Sequence, residues 1–138
     1  MLGIEHILST LVGRTYNYQF KVKEDDLWQE DPWILDLKVI SSRALIHRLF
    51  EVSHQFLAEN VIGAQLAFAV TELSIRHLEP TPLGAAITLQ LTVEKAFRNH
   101  ISFLFVAYDE HEEIANGSLS RAIISKDVIG RIIQAKTV

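Results

Sequence analysis

Hydrophobic and polar positions change period along this chain, and the changes mark out its elements. Over residues 14–22, Tyr16, Tyr18, Phe20 and Val22 alternate with mostly polar partners, a period of two that predicts a strand. A polar loop follows, from Lys23 to about Asp36. Over 43–59 the stripe Leu45, Leu49, Val52, Phe56 recurs at three- and four-residue spacing and is widened by Ile46, Phe50 and Leu57, which predicts an apolar helix capped by Ser41 or Ser42. So wide a stripe has to be wrapped. After Gly63, strands are predicted at about 65–77, 86–97, 101–108 and 114–124, with Arg98-Asn99-His100 as a tight connection and 109–113 as a turn. Short helices are predicted at the two ends, over 1–12 and from Asp127 as N-cap. One early strand, one apolar helix and an antiparallel run imply an α+β domain over residues 1–138, its sheet curled around the helix.

The same period of two singles out one ionisable residue. From Leu73 the odd positions read Leu73, Ile75, His77 and the even ones Glu72, Ser74, Arg76, so His77 falls on the inward face at the end of its strand. Pro80 and Pro82 then fix two φ angles, and Gly84 permits a close approach or a positive φ before the next strand. A rigid turn directly after an inward histidine fixes a reactive group in space; a buried histidine bonded to a neighbour for structural reasons is the alternative.

Composition narrows the function classes. The chain has 138 residues, 49% of them hydrophobic, and a net charge of −4; this is enough for one substantial core, and it argues against a binder dominated by nucleic-acid phosphates. Without cysteine there is no disulfide scaffold, thiolate nucleophile or Cys-ligated metal, and a reducing cytoplasm is the default expectation. The apolar runs are too short to span a bilayer as a helix. His47, Glu51 and His54 share a helical face and could hold a metal, but carboxylate-bridged metal sites need a second such helix, so a polar stripe facing solvent or a second subunit is the expectation. Trp28 and Trp33 sit in the polar loop, where large aromatics need a surface to cover: a lid or wall over a pocket, a subunit contact, or a cluster sealing the sheet edge.

The segment Ser74-Ile75-Arg76-His77-Leu78-Glu79-Pro80-Thr81-Pro82-Leu83-Gly84 resembles the His-Leu-x-x-Thr-Pro-x-Gly stretch of the fluoroacetyl-CoA thioesterase-like family of hotdog proteins. Ala107-Tyr108-Asp109, Glu113-Ile114 and the run from Gly117 through Arg121-Ala122 to Ile124 resemble that family's last two strands. The resemblance covers roughly residues 14–126. It implies a hotdog fold, a homodimer with sites at the subunit boundary, and hydrolysis of an acyl-CoA thioester, with coenzyme A arriving as part of the substrate and no separate cofactor. It also implies a catalytic set of a histidine, a helix glutamate and a threonine just before the helix. His77 matches the histidine. Counting from His77 makes Glu51 the acid and puts Arg43 at the threonine; aligning the helix starts puts Phe50 and Ser42 there. Val70 stands where the family has a strand glycine.

The expected catalytic residues are therefore His77, Glu51 and Ser42, with Arg43, Thr81, Gly84 and Trp33 as candidate substrate-binding positions. Hotdog enzymes generally take their oxyanion donor from the start of the central helix, here residues 42–45. A non-catalytic acyl-CoA binding protein is the alternative, favoured by Arg43 and Val70; an acyl dehydratase is a weaker third, because the His-Phe-Pro-Gly arrangement of those proteins is missing.

Overall fold

A computed structural model describes residues 3–137. Its elements follow in the order α1 (Ile4–Ser9), β1 (Thr15–Lys21), α2 (Ser42–Asn60), β2 (Leu66–His77), β3 (Ala86–Phe97), β4 (His100–Tyr108), β5 (Glu113–Ser125) and α3 (Lys126–Lys136). The strands form one antiparallel sheet in the order β1-β3-β4-β5-β2. Alternation builds the core directly: Ile87, Leu89, Leu91 and Val93 of β3 and Ile101, Phe103, Phe105 and Ala107 of β4 are buried on the face that also receives Leu45, Leu49, Val52 and Phe56 of α2. Phe56 meets Phe103 edge to face at 5.8 Å between ring centroids. The sheet thus wraps the central helix, the hotdog arrangement.

Local differences from the sequence-based expectation have local causes. Ser41, not Ser42, caps α2: its hydroxyl accepts the Ala44 N–H at 3.0 Å, which leaves Ser42 as the first helical residue. The helix predicted from Asp127 instead starts at Lys126 with Ser125 as cap, because Ser125 accepts the Val128 N–H at 3.2 Å. The helix expected over 1–12 is confined to Ile4–Ser9, residues 1–2 lying outside the described part. The supposed loop after β1 contains two short 3-10 segments, Glu24–Asp26 and Pro32–Leu37, too brief to carry a readable period.

Three features position the site. β2 and β1 are the two edges of the sheet, and β2 is the longer, with a bulge between Val70 and Glu72. Gly117 of β5 lies so close to β2 that a Cβ there would fall 1.9 Å from the Ser74 carbonyl oxygen. The buried Asp26 ties the loop to the start of α2: its carboxylate accepts the Lys23 N–H at 2.9 Å and meets Arg48 at 3.5 Å, while its backbone oxygen accepts the Ser41 N–H at 2.8 Å. No helix among the described residues is long and apolar enough to cross a membrane.

Candidate active site

His77 ends β2 beside the first turn of α2, and its Nδ1 lies 2.8 Å from the Ser42 hydroxyl. Residues 35 apart in sequence meet here because the helix start and the strand end converge at one end of the molecule. The backbone after His77 is pinned: Leu78 N–H donates to the Ile114 carbonyl at 2.8 Å, and the Thr81 carbonyl accepts the Ile40 N–H at 2.9 Å. Burial of the ring pushes the His77 pKa below the ordinary histidine value, partly opposed by the nearby Glu79 backbone. Its Nε2 is buried and has no hydrogen-bond partner among the described residues. A half-buried imidazole with one nitrogen anchored and the other unused is suited to taking a proton from an incoming group.

The pair lines a cavity of about 500 Å³ whose walls include Trp28, Glu30, Asp31, Ile40, Leu78, Glu79 and Pro80. α2 points its N-terminus toward this side. Ala44 and Leu45 N–H are taken by Ser41, so Ser42 and Arg43 carry the N–H groups that the helix cannot use itself.

Glu51 is not in this cavity. It lies further along α2, more than half exposed, with its carboxylate 3.3 Å from His47. The expected convergence of Ser42, Glu51 and His77 is therefore corrected for a single chain: nine residues at a rise of about 1.5 Å each carry Glu51 about 13 Å down the helix from Ser42, and about two and a half turns put it on the opposite side. Glu51 lines a second cavity, of about 600 Å³, with Phe50, His54, Gln55, Phe68, Val70 and Arg121. Both helix registers are thus represented there, since Phe50 and Glu51 are neighbours on its wall. The His54 ring packs edge-on to Phe68 at 5.2 Å, and among the described residues no three potential ligand side chains gather as a metal site.

The four candidate binding residues are placed differently from one another. Arg43 donates to the Asp25 carbonyl at 3.1 Å and so fastens the loop to α2. Thr81 is fully buried, its hydroxyl donating to Asp109 at 3.1 Å, which makes it a clamp between two turns and removes it from the cavity wall. Gly84 adopts φ +86 in the turn before β3, the freedom its position required. Trp33 is 74% exposed, and the loop's other tryptophan, Trp28, is the one on the cavity wall.

Arg121 was not marked by sequence as a site residue. It is 4% exposed and fixes the second cavity by donating to Ser53 Oγ at 2.9 Å, to the Phe50 carbonyl at 2.8 Å and to the Phe68 carbonyl. Burial lowers its pKa, and no carboxylate among the described residues pairs with it. The signal was available: Leu119, Arg121 and Ile123 share the inward face of β5 by the same alternation that revealed His77.

The family of the fluoroacetyl-CoA-specific thioesterase FlK matches residues 22–127. The chain belongs to this family. No curated protein matches it. Among solved structures, a hot-dog-like protein from Thermanaerovibrio acidaminovorans is 18% identical, with a TM-score of 0.85 over 98% of this chain and 97% of its own. A point mutant of FlK, crystallised with fluoroacetate and CoA, is 19% identical, with a TM-score of 0.76 over 86% of this chain and 98% of its own. A 1,4-dihydroxy-2-naphthoyl-CoA thioesterase from Synechocystis is 15% identical, with a TM-score of 0.66 over 82% and 84% of the two chains. These likenesses confirm the hotdog fold, and the family match covers the whole stretch from the loop after β1 to the end of β5.

Proposed function

We propose that this protein is an acyl-CoA thioesterase, and the observation that carries the reading is the 2.8 Å contact between Ser42 and His77 on the wall of a cavity. In the tautomer with a proton on Nδ1, the ring donates to Ser42 Oγ and Nε2 is a free base. Nε2, shielded from bulk water in the free protein, then takes a proton from a water admitted beside it with the substrate, as the water oxygen attacks the thioester carbonyl. The tetrahedral oxyanion collects on the Ser42 and Arg43 N–H groups at the start of α2, and its collapse expels the CoA thiolate, which takes up the proton. Base assistance of this kind is worth about 10² to 10⁴ in rate. The family and the CoA thioesterases sharing the fold support this substrate class.

The same reading includes a homodimer. β2 is a long edge with unpaired backbone groups, and an edge of this kind calls for a partner strand. If two copies of β2 pair antiparallel about a two-fold axis, the His77 end of one lies beside the Leu66 end of the other, close to Phe68 and Val70 of the second cavity. The site then joins Ser42 and His77 of one subunit to Glu51 of the partner subunit, which supplies the acid absent from the single chain. A cytoplasmic location fits a chain without cysteine.

Non-catalytic binding of acyl-CoA is the second reading, favoured by the distance of Glu51 from His77 within one chain. Thiol release across a panel of acyl-CoAs, measured beside binding, separates the two: turnover of at least one thioester is expected, and binding without turnover across the panel would sink the hydrolase.

A further inference from the structure

The C-terminal helix α3 has no buried residue, although four aliphatic side chains share one of its faces. Val128, Ile129, Ile132 and Ile133 occupy positions i, i+1, i+4 and i+5 and are each more than a third exposed. The polar side carries Lys126, Arg131 and Gln134, with Lys136 in the last turn and Asp127 as the single acid. An aliphatic stripe left in water on a cationic helix calls for a cover that is apolar at its centre and acidic around it.

Such a surface exists on this same chain, around the mouth of the cavity that holds His77. Leu78 is exposed on the cavity wall, Trp33, Leu35 and Leu37 are exposed in the stretch of loop between the wall residues Asp31 and Val39, and the acidic Glu30, Asp31 and Glu79 line the wall with Asp36 in the same loop. The helix is placed to reach the copy of that surface on a second subunit. Its first residue, Lys126, donates its N–H to the Gln65 carbonyl at 2.8 Å, so α3 departs from the Leu66 end of β2. Antiparallel pairing of β2 sets that end beside the partner's His77. Eleven helical residues extend about 16 Å, long enough to cross the cavity mouth. The family match stops at Asp127, so all but the first two residues of this helix lie beyond the part of the chain it describes.

We propose that α3 docks across the dimer onto the 28–37 loop of the partner subunit and forms the outer wall of the partner's acyl cavity. The inference rests on the β2-paired dimer and adds to it a second contact and a wall that limits the acyl group. The chain has no cysteine, so introduced pairs are clean probes. One preparation carries Ile132→Cys, another Leu37→Cys, and the two are mixed, exchanged and treated with a short bismaleimide; Ile129→Cys with Trp33→Cys is a second pair. Cross-linked dimers containing one chain of each kind are expected for at least one pair. In the full chain, the double variant Ile132→Glu, Ile133→Glu should shift Trp emission to longer wavelength and raise KM for the preferred acyl-CoA at least about fivefold while leaving the dimer intact. Sedimentation separates the failures. A monomer overturns the dimer and this proposal with it; a dimer that yields no mixed cross-link, or whose emission and KM ignore the double variant, overturns the helix docking alone.

Discussion

His77 combines three properties at residue scale: an inward strand position, a hydroxyl partner at 2.8 Å and a second nitrogen without one. His77→Ala should lower kcat/KM by about 10² to 10⁴ and leave the circular dichroism and sedimentation of the protein unchanged, because the residue ends its strand and is only half-buried. The pH profile carries a sign. Burial lowers the folded pKa below 6.5, so the ring stays neutral and basic further into acid than a free histidine, and the acid limb of kcat/KM should inflect below 6.5. The same shift acts on stability: the unfolded chain binds the proton first, so this contribution is present above the unfolded pKa and is lost as pH falls through the folded one. His77 was legible because alternation is local; Ser42 was reached through the family resemblance, since the capping role open to it belongs to Ser41. The role of Thr81 was not legible, because its partner Asp109 arrives from another turn, 28 residues on, and turns a polar motif residue into a buried clamp.

Among the elements, the long periodic ones were the legible ones: α2 and all five strands fall within a few residues of where their periods put them. The loop between β1 and α2 was not, since two short 3-10 segments leave no repeating pattern, and it contributes Trp28, Glu30 and Asp31 to the cavity. The β2–β5 pair depends on a single small residue. Gly117→Ala would drive a methyl group into the Ser74 carbonyl, which is backbone and cannot turn aside, so it should destabilise the protein by at least about 2 kcal/mol, read as a lower midpoint in urea denaturation. Because Gly117 faces Ile75, two residues before His77, the residual folded protein should also lose activity.

The whole molecule is where the acid has to be found. Ser42 and His77 share one cavity and Glu51 another, so in the proposed dimer each chain holds two incomplete halves. His77→Ala and Glu51→Gln, each nearly inactive as a pure dimer, should regain activity when mixed and exchanged, because half-and-half dimers contain one intact set. Mixing that restores nothing would assign all the chemistry to a single chain. None of this could be read from the linear pattern, which places residues on faces but says nothing of which copy faces which.

The sheet order has a further consequence, in time. β2 lies next to β5, so the strand that ends in His77 finds its one neighbour among the described strands after β3 and β4 have been made and the last strand has come back across the sheet. Contacts of this separation close slowly and late. Recovery of thioesterase activity after dilution from denaturant should therefore follow the slowest refolding phase, lagging behind the helix signal of α2, and a nascent chain should be silent until β5 has left the ribosome.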